Sequence, residues 1–175
     1  NAVTQINEKL GRIDILVNCA GVYPRVGIHD ITEKDWRFVF DINVMGSYFM
    51  MVECAKAMKA TGEGRIVNVS SIDAFTAHPS NAHYAATKAA VVSLTRSFAL
   101  EVAKNGILVN SVAPGPMATE RALKSDWFAQ MTAELPTGVA IEPEEIARTV
   151  VYLCDPKNKS LTGENIIVSG GGVIA

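Results

Sequence analysis

The chain has 175 residues, 49% of them hydrophobic and 19% charged, with a formal net charge of −2. That is enough apolar sequence for one globular domain with a buried core, and too little charge for a disordered tail. Lys and Arg are not clustered and the longest apolar run, 44–52, falls far short of a bilayer span, so neither a nucleic acid nor a membrane is expected as partner.

Residues 1–10 place Val3, Ile6 and Leu10 on one helical face, and Gly11 follows as a stop. A short apolar strand over 13–17 runs into Asn18, Cys19, Ala20 and Gly21, a turn with a small-residue tip. Thr32 with Asp35 three positions on forms a capping box that opens a helix from Glu33 to about Ala60, with a bend expected near Asn43 and a stop at Gly62 and Gly64. The second strand covers 65–70, and Ser71 stands at its carboxyl end. A helix from about Ala82 to Lys104 ends at Asn105-Gly106, and a third strand spans 107–113 before Pro114-Gly115-Pro116. One amphipathic helix is predicted from Thr119 to about Glu134, with Trp127, Phe128 and Met131 on its apolar side. Pro143 fits the first position of a helix to about Cys154. The last strand is 165–169, before Gly170, Gly171 and Gly172.

Every predicted strand is continuously apolar and alternates with helical sequence, as expected of a parallel sheet covered on both faces. There is no internal repeat and no interdomain linker, so residues 1–175 read as one domain. Ligands of such sheets bind beyond the carboxyl ends of the strands. The turn after Asn18, Ser71 and the segment Pro114 to Thr119 all fall there, so residues a hundred positions apart are predicted to share one rim.

Cys19, Cys54 and Cys154 are widely spaced and set in apolar sequence. They read as reduced core thiols of a cytoplasmic protein, without a disulfide framework or metal site. No signal peptide opens the sequence, which agrees with that location.

The chemistry concentrates in Ser71 and in His83-Tyr84-Ala85-Ala86-Thr87-Lys88. On a helix, positions i and i+4 share a face, so the Lys88 ammonium is expected beside the Tyr84 phenol, lowering its pKa toward the working range of a general acid or base. Ser71 is then placed to hold the oxygen that exchanges its proton with Tyr84.

Asn18-Cys19-Ala20-Gly21, Asn43-Val44-Met45-Gly46, Ser71, Tyr84 to Lys88 and Pro114-Gly115-Pro116-Met117-Ala118-Thr119 together resemble the short-chain dehydrogenase/reductase family, in its order and spacing. The resemblance implies a Rossmann-like, doubly wound α/β fold of which this chain is the C-terminal portion, strands 4 to 7. It implies a catalytic set of Asn43, Ser71, Tyr84 and Lys88. Tyr84 is the acid/base, Ser71 orients the substrate oxygen, Lys88 lowers the tyrosine pKa and holds the nicotinamide ribose, and Asn43 anchors a water. Cofactor contacts fall to Asn18, Ala20 and Gly21 on the adenine side, to Tyr84 and Lys88, and to Pro114, Gly115, Met117 and Thr119 at the nicotinamide. The cofactor is NAD or NADP, with no metal.

The sequence departs from the family pattern at Cys19, where a second asparagine is common, at Ser169 in place of aspartate, and at Val139 in place of arginine. By the same resemblance, the glycine-rich mononucleotide half of the fold is expected to lie outside the 175 residues. Strand 13–17 would then be an apolar edge, and cofactor affinity would be poor.

The expected activity is interconversion of a secondary alcohol and a ketone on a largely apolar substrate, as in a 3-oxoacyl reductase or an alcohol or sugar dehydrogenase. A non-catalytic oligomeric or regulatory module and a same-fold dehydratase or epimerase stand as alternatives. Tyr23, Val26, Phe75, Met117, Trp127, Phe128 and Met131 are the expected pocket walls, with Asp73, His78 and His83 as polar contacts. The family's helical interface, here Met50, Met51, Leu94 and Phe98, implies a homodimer or homotetramer.

Overall fold

The computed structural model describes residues 2–175 and contains a four-stranded, fully parallel sheet, β1 Ile15–Asn18, β2 Gly64–Val69, β3 Ile107–Pro114 and β4 Asn165–Val168, in spatial order β1-β2-β3-β4. Helices α1 Ala2–Leu10, α3 Ser47–Thr61 and α4 Ala82–Val102 cover one face, and α7 Pro143–Cys154 covers the other. Successive strand residues feed opposite layers, as the two-residue period requires: Ile66 packs with Met51, Met58 and Val109, whereas its neighbour Val67 packs with Val112, Ile146 and Leu153. The parallel sheet expected from the apolar strands is observed, with both faces buried over β2 and β3. Asn1 lies outside the described residues.

β1 is the outer strand of the described sheet, and its Ile15 and Val17 are 49% and 41% exposed. One row of polar residues crosses the sheet. Asn18, Asn68, Ser111 and Asn165 are register partners, one per strand. Asn18 Nδ2 donates to Asn68 Oδ1 at 2.8 Å, Asn68 Nδ2 to Thr95 Oγ1 at 2.9 Å, and Ser111 Oγ to Asn165 Oδ1 at 2.7 Å.

The capping box forms as the local sequence dictates: Asp35 N donates to Thr32 Oγ1, and Thr32 N to the Asp35 carboxylate at 2.9 Å. Helix α2, Glu33–Phe40, then passes through a π-helical turn, Asp41–Gly46, into α3. That turn falls where a bend is expected near Asn43, although the backbone stays helical through it; π turns insert one residue into a helix and gather at functional positions. The joined stretch 33–61 is long and apolar enough by length and composition to cross a membrane, which the apolar run 44–52 did not suggest. Here it packs against β1, β2 and α4, with Val39, Met51 and Met58 fully buried. The stops at Gly62 and Gly106 are both left-handed, φ +71° and +74°. A Cβ at Gly106 would collide with the Gly62 carbonyl, so glycine is required there by space as well as by φ.

Three expectations need correction. The helix predicted over 119–134 is two, α5 Glu120–Leu123 and α6 Asp126–Ala133. The apolar period continues across the break, but Ser125 turns extended and both its N–H and its hydroxyl bond back to the Ala122 carbonyl, a local alternative to helix. Met51 is fully buried in the subunit core and Met50, Leu94 and Phe98 pack partly buried against it, leaving Phe49 and Leu100 as the outward side chains of α3 and α4. Cys54 is buried and Cys154 intermediate, but Cys19 is an exposed thiol at the rim of β1.

Candidate active site

The carboxyl ends of β1, β2 and β3 deliver three segments to one mouth. Ser71 follows β2 in extended conformation and caps a single 3-10 turn, Ile72–Ala74, its Oγ accepting from Asp73 N at 3.1 Å. That bond uses an oxygen lone pair and leaves the hydroxyl proton free to be donated outward. Asp73 in turn accepts from Asn81 Nδ2 at 3.1 Å and lies 3.5 Å from His78 Nε2, which ties the loop to the start of α4.

Tyr84 sits in the first turn of α4 and Lys88 one turn later, on the same face as the spacing required. Lys88 is only 5% exposed; its Nζ donates to the Val69 carbonyl at 2.8 Å and lies 5.6 Å from the centre of the Tyr84 ring. Asn43, in the π-helical turn, clamps the loop after β1. Its Oδ1 accepts from Val22 N at 2.8 Å, while its Nδ2 donates to the Val22 carbonyl at 3.0 Å and to Thr87 Oγ1 at 3.1 Å. A Cβ on Gly21 would come within 3.3 Å of Asn43 Oδ1 and 3.5 Å of Lys88 Nζ, so the glycine lets the loop pass close to both.

The electrostatics run opposite to the expectation that Lys88 depresses the tyrosine pKa. Burial pushes the Tyr84 phenol above its ordinary value; an interaction with the Ser71 hydroxyl opposes that, and Asp73 and Tyr23 add to it. The lysine is itself perturbed, with burial pulling its pKa down to about 8. Both shifts are toward the neutral form for one reason, loss of water, but Lys88 still carries its proton below about pH 8.

Tyr84 opens onto a cleft of about 710 Å³. Of the predicted cofactor residues, Gly21, Tyr84, Pro114, Gly115, Met117 and Thr119 line it. Asn18 does not; its amide sits inside the fold, bridging β1, β2 and α3 through Asn68 and the Ser47 carbonyl at 3.3 Å. Ala20 is exposed beside Gly21 and is not part of the lining. Gly115 makes its close approach to the chain itself, where a Cβ would be 2.9 Å from Ser169 Cα. Thr119 also caps α5, accepting from Ala122 N at 3.3 Å.

Tyr23, Met117, Trp127 and Met131 form cleft walls as expected, with Asp73 and His78. Phe128 is buried, Val26 and Phe75 stand outside the lining, and His83 is fully buried with its ring 6.2 Å from that of Trp36. The cleft also takes Pro24, Ile72, Ala122, Ser125 and two cations, Arg25 and Arg121, from the segments 22–30, 72–82 and 117–137 expected to form the pocket, although neither arginine is among the individually expected wall residues. Arg25 lies next to the expected wall residue Tyr23, but its other neighbour, Trp127, is a hundred positions away.

Residues 1–172 match the family described as Enoyl-(Acyl carrier protein) reductase. The chain is 37% identical over 168 residues to the 3-oxoacyl-(acyl-carrier-protein) reductase FabG of Vibrio harveyi, covering 95% of this chain and 69% of that protein. Among solved structures, a gluconate 5-dehydrogenase from Burkholderia cenocepacia, in complex with NADP and tartrate, superposes with a TM-score of 0.92 at 30% identity, over 97% of this chain and 68% of that one. An acetoin dehydrogenase from Enterobacter cloacae does so with a TM-score of 0.88 at 37% identity, over the same 97% and 68%. The chain belongs to the short-chain dehydrogenase/reductase family of NAD- or NADP-dependent oxidoreductases acting on CH–OH groups.

Proposed function

We propose that the protein interconverts a secondary alcohol and a ketone on a small or medium substrate, with Tyr84 exchanging the proton at the substrate oxygen. The observation that carries this reading is that Tyr84, which lines the cleft, has Ser71 and Lys88 buried close behind it, the first interacting with its hydroxyl and the second 5.6 Å from its ring centre. The names of the relatives, which act on 3-oxoacyl groups, acetoin and gluconate, support the same chemistry.

The site fits a nicotinamide cofactor. Lys88 uses one of its three N–H donors on Val69 and sits beside the Gly21 backbone, a donor set suited to ribose hydroxyls. The segment from Pro114 to Thr119 lines the same cleft and would hold the nicotinamide end. When bound, the cofactor supplies or accepts the hydride. Ser71 donates a hydrogen bond to the substrate oxygen and keeps its proton. In reduction, the neutral Tyr84 phenol protonates that oxygen; in oxidation, it must first lose its own proton. Asn43 keeps the Gly21-Val22 loop against α4 so that this geometry persists without substrate.

Because burial holds Tyr84 protonated, ketone reduction should be nearly flat from neutral to mildly alkaline pH, while alcohol oxidation climbs with pH. Assays with NADH and NADPH against acetoin, a 3-oxoacyl thioester and a ketogluconate, followed by nicotinamide absorbance in both directions, test this. Turnover of at least one with that asymmetry supports the reading; no turnover of any contradicts it.

We further infer a cytoplasmic homodimer or homotetramer. The three cysteines are free thiols, and Phe49 and Leu100, 56% and 87% exposed, offer α3 and α4 an apolar face for a second copy. Light scattering after gel filtration should report an oligomer for the wild type and a smaller species for the double substitution Phe49→Glu, Leu100→Glu. A monodisperse wild-type monomer would contradict it.

A further inference from the structure

We propose that the cleft receives a substrate bearing an oxyanion, a carboxylate or a phosphate ester, away from its reacting carbon, and that Arg25 binds that group. This rests on the alcohol–ketone reading above and names the chemistry of its substrate. Arg25 belongs to the loop after β1. Its guanidinium lies 4.5 Å from the centre of the Trp127 ring on α6 and 5.6 Å from that of Tyr23. Tyr23 in turn packs edge-on against Tyr84, ring centres 4.5 Å apart. One aromatic ring therefore separates this cation from the phenol that meets the reacting oxygen.

Stacking occupies the face of a guanidinium and leaves its in-plane N–H fork available, the geometry that matches a carboxylate or phosphate. Only Nη2 is engaged, through a long 3.4 Å bond to Tyr23 Oη. Arg121 lines the same cleft from α5, and neither arginine is within ion-pair distance of a described carboxylate. Asp73, the acidic residue of the lining, is already occupied by Asn81 and His78. The cleft thus presents two unneutralised cations in a chain whose net charge is −2. An exposed cation held against two rings beside the reaction centre is placed to receive an anion.

The test uses two matched ketone pairs, butan-2-one with 3-oxobutanoate and hydroxyacetone with its phosphate, on the wild type, Arg25→Gln and Arg25→Lys. Calorimetric titrations with butanoate and methyl phosphate run beside the kinetics and need no turnover. The wild type should favour the charged member of one pair by about tenfold or more in kcat/KM, the scale of a hydrogen bond to a charged group. Arg25→Gln should reduce that preference about tenfold, mainly through KM, and weaken anion binding equally, with Arg25→Lys intermediate. The preferred pair distinguishes carboxylate from phosphate. Equal use of charged and neutral ketones overturns the proposal, as does anion binding that survives Arg25→Gln unchanged. Arg25-dependent anion binding without turnover would leave the anion site standing and remove the alcohol–ketone reading; turnover without anion preference would do the reverse.

Discussion

Replacing Tyr84 by Phe should lower turnover by roughly 10²- to 10⁴-fold, the usual contribution of a positioned acid/base, while leaving the fold intact. The substitution removes one hydroxyl and keeps the ring that packs edge-on against Tyr23. The polar contact it gives up is with Ser71, whose Oγ retains its bond from Asp73 N. Stability should therefore change by no more than about 1 kcal/mol. NADH or NADPH binding, read by fluorescence titration, should persist, because the donors suited to the ribose belong to Lys88 and the Gly21 backbone. If the variant turns over at more than a tenth of the wild-type rate, Tyr84 is not the acid/base.

Lys88→Met should do something less usual: abolish or severely reduce activity, yet stabilise the protein near neutrality. The ammonium is buried, and its pKa falls from 10.5 to about 8. Below about pH 8 folded and unfolded chains both carry the proton, and the fold bears the full cost of a desolvated charge. Between there and 10.5 the unfolded chain keeps a proton that the folded one releases, so stability rises with pH. That cost is on the order of 3 kcal/mol. Losing the bond to the Val69 carbonyl takes back about 1 to 2 kcal/mol, so the net gain at pH 7 is roughly 1 to 2 kcal/mol. Urea unfolding at pH 7 and pH 10 measures both effects. The variant should be more stable at the lower pH, and its advantage should vanish at the higher. A wild type whose stability does not rise across that interval would refute the account. A lysine retained at such a cost belongs to function, in the manner of destabilised active sites generally.

The local signals were legible. Thr32 and Asp35 form their capping box because four consecutive residues suffice to close it, and Pro143 opens α7 because its missing N–H needs no partner there. Tyr84 and Lys88 share a helix face and Ser71 follows a strand, since helix period and strand end fix those places without knowledge of the packing; the roles expected of them rest on the family resemblance, not on spacing. What escaped depends on distant chain. Ser125 divides a helix whose apolar period runs on unbroken. Met51 turns inward only because of how α3 lies on the sheet. The sign of the Tyr84 perturbation follows from how much water the folded site excludes, which spacing does not report. The contact of Arg25 with Trp127 joins residues about a hundred positions apart, which spacing does not report.

The polar row through the sheet bears on catalysis from a distance. Strands buried on both faces cannot read their alignment from hydrophobicity, since β2 and β3 present Ile and Val whichever way they slide. Asn18, Asn68, Ser111 and Asn165 can, for a slip by one residue would strand buried amides and hydroxyls at about 1 to 3 kcal/mol each. The same slip would carry Ser71 about 3.3 Å along the strand axis, past the reach of any oxygen that Tyr84 could serve. Four side chains that do not line the cleft thus act as a vernier, setting the height at which the catalytic groups meet.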